Sequence, residues 1–138
     1  MKLLATDMDG TFLRDDKSYN DEFNDLYKQM LKQGIQFVIA SGNQYEALVC
    51  KFDDDIKDDL YYLCENGTKI VYQGKTLYKK ALEKQDAQEV LDILKEDQEC
   101  MLVVSGDKHA YISKSFADKK DFISLFMKNV QFVESYDD

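Results

Sequence analysis

Apolar and polar positions along the chain change their period several times, and each change marks an element. Residues 3–6, Leu-Leu-Ala-Thr, form the short unbroken run that a strand makes when both faces of its sheet are covered. From Asn20 the spacing lengthens to that of a helix. Phe23, Leu26, Tyr27, Met30 and Leu31 share one stripe, with Asn20 placed to cap its start and Gly34 to end it. "GIQFVIASGN" predicts a second buried strand, Ile35 to Ala40, closing on Ser41-Gly42, and a second helix follows from about residue 43 to 52. A third strand, "LYYLC", ends at Glu65-Asn66-Gly67. Strand, helix, strand, helix, strand in that order predicts a parallel sheet with helices on its faces. "TKIVY" and "KTLYKKAL" then flank Gln73-Gly74 as the arms of a hairpin.

Beyond residue 82 the texture is different. Ala87, Val90, Leu91 and Leu94 predict an amphipathic helix over residues 86–97, and "CMLVVSGDKHAYIS" reads as two strands around Gly106-Asp107. A last helix is expected over "KKDFISLFMKN", with Phe122, Leu125 and Phe126 on its apolar side. Helices beside antiparallel strands imply an α+β unit distinct from the first, which divides the chain into 1–82 and 83–138.

Composition narrows the function. The chain has 138 residues, 44% apolar and 33% charged, enough to bury a core. No apolar stretch approaches the roughly 20 residues that cross a bilayer, so a soluble, cytoplasmic protein with no membrane partner is expected. A net charge of −9 argues against nucleic acid, whose phosphates are held by clustered Lys and Arg. Cys50, Cys64 and Cys100 are widely spaced and joined by one histidine only, so they read as reduced, mostly buried thiols rather than a zinc site. Asp53 to Asp55, Asp58, Asp59, Asp137 and Asp138 read as solvated surface, His109 as structural or exposed, and Tyr61, Tyr62, Tyr72 and Tyr78 as sheet packing.

The chemistry collects where strands end. Open parallel sheets bind ligands outside the carboxyl ends of their strands, and here those ends carry Asp7-x-Asp9-Gly10-Thr11, Ser41-Gly42-Asn43 and Glu65-Asn66-Gly67. Two carboxylates held close together need a cation between them or a retained proton. Hard oxygen ligands of that kind suit Mg²⁺, which fills its other positions with water and substrate phosphate. Ser41 and Gly42, between a strand and a helix start, offer a hydroxyl and free N–H groups to a phosphate. A metal site beside a phosphate site points to phosphoryl transfer.

Asp7-Met8-Asp9-Gly10-Thr11-Phe12-Leu13 resembles the D-x-D-G-T-x-L first motif of the haloacid dehalogenase-like (HAD) hydrolase superfamily, and "FVIASGN" resembles its second. With "ENGTKIVYQGKTLYKKAL", these blocks look like the Cof-type branch, mostly magnesium-dependent phosphatases of sugar phosphates and similar metabolites. The resemblance implies an α/β, Rossmann-like three-layer core, of which residues 1–82 supply the first three parallel strands plus hairpin. Residues 83–138 would then begin an inserted α+β cap domain. It implies that Asp7 attacks phosphorus to give an aspartyl phosphate, and that Asp9 protonates the leaving oxygen and later activates water. The Asp7 carboxylate and Asp9 carbonyl would hold Mg²⁺. Ser41, Gly42 and backbone N–H groups near Asp9 and Gly10 would hold the phosphoryl oxygens, and Asn43 and Asn66 would meet the substrate.

Two departures accompany the likeness. Relatives often carry Arg where this chain has Asn43, and neither the family's phosphate-clamping Lys nor its later Gly-Asp-x-x-x-Asp motif is found. The chain is therefore expected to stop inside the cap and to have little activity alone, since losing one preorganised group commonly lowers turnover about 10²- to 10³-fold. In this fold the first strand lies centrally, so its free edge would invite self-association or pairing with the missing C-terminal half. A non-catalytic regulatory domain that binds Mg²⁺ and phosphate is the alternative. A receiver domain fits less well, because its phosphorylated Asp closes the third strand, where Glu65-Asn66 stand here.

Overall fold

The computed structural model describes residues 2–94, 97, 99–124 and 127–136. Leu125, Phe126, Asp137 and Asp138, assigned above to a helix and to solvated surface, lie outside the described residues, as do 95, 96 and 98 at the end of the expected 86–97 helix. The chain forms two compact units, Met1–Lys80 and Ala81–Asp138.

The first unit is a five-stranded sheet of β1 (Lys2–Asp7), β2 (Ile35–Ala40), β3 (Tyr61–Cys64), β4 (Lys69–Tyr72) and β5 (Lys75–Lys79), paired in that order. β1, β2 and β3 are parallel, while β3–β4 and β4–β5 are antiparallel, as the hairpin around Gln73-Gly74 requires. Two helices, α1 (Phe23–Lys32) and α2 (Tyr45–Val49), connect the parallel strands. Asn20, expected as the cap, stands two residues early: Glu22 holds the N-cap position without a side-chain capping bond. Asn20 accepts Glu22 N–H on its side chain and Phe23 N–H on its carbonyl in the turn that leads into the helix. Gly34 ends the helix at φ +71°, a backbone that costs glycine little.

One face of the sheet is sealed and the other is open. Phe37, Ile39, Tyr62, Cys64 and Val71 share the sealed face and pack with Phe23 and Tyr27 of α1 and Leu48 of α2. Tyr27 and Tyr62 are fully buried and donate their hydroxyls to the carbonyls of Asp59 and Lys57, at 2.6 and 2.9 Å. On the other face no residue is buried; Tyr61 and Tyr72 stack there with ring centroids 4.1 Å apart. The expectation of helices on both faces is thus corrected. Crossovers of one hand that step the same way, β1 to β2 to β3, bring both helices to one side. β1 shows the consequence most sharply: it is an edge strand, and Leu3 is 62% exposed where its sequence reads as buried.

The second unit holds α3 (Lys84–Leu94), β6 (Val103–Ser105), β7 (Ala110–Ser113), α4 (Lys120–Ser124) and β8 (Val130–Val133). β6 and β7 form the antiparallel pair expected around Gly106-Asp107, and β8 joins β7 in parallel, giving the order β6-β7-β8. β8 is a strand that the apolar and polar pattern above does not assign. No residue of α3 is buried; Ile93 is 76% exposed. Among the described residues no helix is long and apolar enough to cross a membrane.

The cysteines are free, but only Cys64 is buried; Cys50, beyond the end of α2, and Cys100, in the loop before β6, are exposed. Burial beneath α2 pushes the Cys64 thiol up to about 12. At about pH 8 a disulfide reagent is expected to titrate Cys50 and Cys100 rapidly in the folded chain and Cys64 only after unfolding, because its thiolate fraction is on the order of 10⁻⁴. Rapid reaction of all three thiols under native conditions contradicts this packing.

Candidate active site

The loop after β1 is wound tightly. N–H groups of Thr11, Phe12 and Leu13 converge on the Met8 carbonyl at 3.5, 3.2 and 2.8 Å, and Phe12 N–H also reaches the Asp7 carbonyl at 3.2 Å. Met8 and Leu13 are buried and pin both ends of the coil. Between them the Phe12 ring packs on Tyr19, Phe23, Phe37 and Phe52. Gly10 turns through φ +73°, where a side chain would be strained. The motif's apolar members therefore face the core, and its carboxylates are left at the exposed carboxyl end of the strand.

Asp7 closes β1 in register with Ala40, the residue before Ser41. Its carbonyl is hydrogen bonded, but among the described residues no hydrogen bond or ion pair engages its carboxylate. Asp9 is the opposite case. Lys17 Nζ donates to its Oδ1 at 2.8 Å and Asn43 Nδ2 to its Oδ2 at 3.3 Å. The Lys17 hydrogen bond, aided by the charges of Lys17 and Lys51 and by Asn43, outweighs partial burial and holds the Asp9 carboxyl below its usual range.

The other two strand ends are stitched together. Ser41 N–H donates to the Leu63 carbonyl at 3.0 Å, and Ser41 Oγ accepts Asn43 N–H at 3.1 Å. The carbonyls of Asn43 and Ser41 accept the N–H groups of Glu65 and Asn66 at 3.1 and 3.2 Å. The Asn66 side chain lies against Gly42 so closely that an added Cβ would stand 3.0 Å from Asn66 Oδ1. Glu65, Asn66 and Gly67 have φ of 53°, 56° and 91°, three left-handed residues in succession. Such strain, about 1–3 kcal/mol for a non-glycine residue, persists only where neighbours enforce it, as the two bonds to the Ser41–Asn43 turn do here.

Of the residues singled out from the sequence, Asp9 and Asn43 are in direct contact, and Ser41, Gly42 and Asn66 form one interlocked loop pair beside them. Asp7 and Gly10 belong to the adjoining coil. The sequence reading missed Lys17, whose only signal is its place in the turn-forming stretch "RDDKS" eight residues after Asp9. Among the described residues no three His, Cys, Asp or Glu side chains cluster to hold a metal. The unengaged Asp7 carboxylate and the Asp9 main-chain carbonyl are hard oxygen donors of the type Mg²⁺ takes from a protein before completing its shell with water and phosphate.

The sequence profile of the haloacid dehalogenase-like hydrolases matches residues 4–138. The chain is similar to 5-amino-6-(5-phospho-D-ribitylamino)uracil phosphatase YbjI of Escherichia coli K12, 37% identical over 139 residues, covering 99% of this chain and 51% of that protein. Among solved structures it is similar to SMU.1108c from Streptococcus mutans UA159, with a TM-score of 0.89 at 30% identity over 99% of this chain and 52% of that one. A haloacid dehalogenase-like hydrolase from Bacillus subtilis shares the fold, with a TM-score of 0.81 at 18% identity over 99% of this chain and 55% of that one. The chain thus spans about half the length of the relatives it matches.

Proposed function

The chain belongs to the haloacid dehalogenase-like hydrolases, and on that footing we propose that it carries the nucleophile half of a magnesium-dependent phosphatase of small phosphorylated metabolites, sugar phosphates foremost. The observation that carries this reading is the meeting of three strand ends at one edge of the sheet. An unengaged Asp7 carboxylate stands beside a turn whose Ser41 hydroxyl, Gly42 and Asn43 are locked to the strained Glu65–Gly67 loop. The name of the Escherichia coli relative, a phosphatase of a phosphorylated ribityl compound, supports a small metabolite as substrate.

In this mechanism an Asp7 carboxylate oxygen attacks phosphorus as the ester P–O bond breaks, giving an aspartyl phosphate. Asp9, whose carboxyl Lys17 holds below its usual range in the free site, must first take up a proton from solvent. It then passes that proton to the leaving oxygen and, as a carboxylate again, removes one from the water that attacks the acyl phosphate. Ser41 Oγ and the N–H groups of the surrounding loops hold the phosphoryl oxygens in line. Mg²⁺, when bound by Asp7 and the Asp9 carbonyl, would neutralise phosphoryl charge.

The test is a panel of phosphate esters offered, with and without Mg²⁺, to the full-length protein that carries these residues. We expect hydrolysis that EDTA abolishes and Mg²⁺ restores, and no more than about 10⁻² of it from these 138 residues alone, which lack the clamping Lys and the second acidic motif. A full-length protein that binds phosphate and Mg²⁺ but turns over no ester would favour the regulatory reading.

A further inference from the structure

Lys17 stands in a tightly bonded turn between the Asp7–Asp9 coil and Tyr19. Arg14 N–H donates to the Ser18 carbonyl at 2.8 Å and Lys17 N–H to the Arg14 carbonyl at 2.9 Å, closing a tight loop. Asp16 Oδ1 accepts both the N–H and the hydroxyl of Ser18, at 3.0 and 2.6 Å. The Arg14 guanidinium is spent on Ser18 Oγ and the Tyr19 carbonyl, at 3.3 and 3.2 Å. Tyr19 anchors the far end, with its ring against Phe12, Phe23 and Phe52 and its hydroxyl bonded to Asn24 and Asp53. The loop so held forces Lys17 to φ +66°, a left-handed conformation unusual for lysine. Strain of that kind, enforced by surrounding bonds and set beside a candidate active site, motivates a functional reading of the residue it displays.

What the turn displays is an ammonium at the mouth of the site. Lys17 Nζ sits 2.8 Å from Asp9 Oδ1, and the two side chains are 56% and 47% exposed, so the pair faces solvent rather than filling a core. The other Asp9 oxygen contacts Asn43, the last residue of the Ser41–Asn43 turn, so Lys17 stands one carboxylate away from the amides and hydroxyl assigned to the phosphoryl group. Arg14 is committed to its own loop, and Lys51 acts on Asp9 through its charge without a hydrogen bond. An exposed ion pair of this kind is worth little by itself and is readily exchanged. A phosphoryl dianion entering beside Asp9 offers more charge and better acceptors than the carboxylate it displaces.

Resting on the phosphatase reading, we propose that Lys17 is a phosphate-recognition residue: it pairs with Asp9 in the free site and transfers its ammonium to a phosphoryl oxygen when the ligand binds. The exchange frees Asp9 Oδ1 for the leaving group in the same movement. No covalent bond is made or broken in it.

The experiment compares Lys17→Met, Lys17→Arg and Lys17→Gly in the full-length protein. The readouts are the inhibition constant of inorganic phosphate, KM and kcat, with calorimetric binding of orthophosphate to this chain in MgCl₂ as a measurement that needs no turnover. Losing one exposed charge-assisted bond is expected to weaken orthophosphate about 5- to 10-fold in Lys17→Met, with KM rising in step. Arg should recover affinity to within about twofold, because it restores the charge. Gly, which suits φ +66°, should keep the turn and the melting temperature yet bind phosphate as weakly as Met. Unchanged orthophosphate affinity in Lys17→Met overturns the assignment, and so does recovery by Gly, which would make Lys17 a matter of backbone alone. Either result leaves the phosphatase reading standing so long as Asp7→Asn is inactive.

Discussion

Replacing Asp7 with Asn is expected to lower turnover of a phosphate ester by the full-length protein about 10⁴-fold or more while leaving the fold intact. The two side chains have nearly the same shape, but the amide has no anionic oxygen to attack phosphorus. Asp7 is an exposed strand end whose main-chain bonds, to Phe12 N–H and along the pairing with β2, do not involve the carboxylate. The melting temperature should therefore stay within a degree or two. Asp9→Asn gives the contrast. Loss of a general acid and base commonly costs about 10²- to 10⁴-fold, and at Asp9 it also removes the carboxylate that holds Lys17 and Asn43. Asp7→Asn should be the more damaging of the two, and it alone should block trapping of a phosphorylated protein after rapid acid quench. Full activity in Asp7→Asn, or an acid-stable phosphoenzyme formed by it, would remove Asp7 from the nucleophile's role.

The parts of this site that could be read in the sequence are those fixed by residue type and short spacing. Asp7-x-Asp9-Gly10-Thr11 stands out by residue type and spacing alone, whereas the inward packing of buried Leu13 and partly buried Phe12, which leaves both acids exposed, became visible only with the coil. The bond from Asn43 to Asp9 spans 34 positions and depends on how β1 and β2 pair, which no local pattern encodes. Lys17 reaches Asp9 only because its turn adopts a left-handed conformation, and nothing in a lysine announces that. Glu65 is similar: Asn66 and Gly67 suit positive φ, whereas glutamate does not, so the length of the left-handed run became visible only with the backbone. In the fold, periodicity located the parallel strands and their helices but could not say what covers a face. Leu3 and Leu4 read as buried, yet burial is a property of what packs against them: Leu3 stands on the open face, and Leu4, in register with Phe37 on the sealed one, lies on an edge strand and is still 44% exposed. β8 escaped notice because "VQFV" pairs in parallel with β7 and so lacks the turn residues that mark a hairpin.

The largest stability effect should come from the aromatic cluster beneath the motif, and Phe23→Ala is the substitution that reaches most of it. Phe23 is buried at the start of α1, and its ring meets those of Phe12, Tyr19, Tyr27, Phe37 and Phe52. Truncating a buried phenylalanine costs about 3–5 kcal/mol through lost transfer energy and an unfilled cavity. Domains have only about 5–15 kcal/mol in total, and a sheet sealed on one face should lie toward the lower end. With an m-value near 1 kcal/mol/M for a unit of this size, the urea midpoint should fall by about 3 M, or the unit should not fold at all. Leu26→Ala on the same helix, 54% exposed, should cost less than about 0.5 kcal/mol and separates packing from helix propensity. The chemistry would fail along with the fold, because Phe12 and Tyr19, which hold the Asp7–Asp9 coil and the Lys17 turn, lean on the same ring. Phe23→Leu, which keeps most of the volume, should recover more than half of the lost stability and nearly all of the phosphate affinity. If Phe23→Ala unfolds no more easily than Leu26→Ala, the aromatic cluster is not what supports the coil, and the link from core packing to site geometry fails with it.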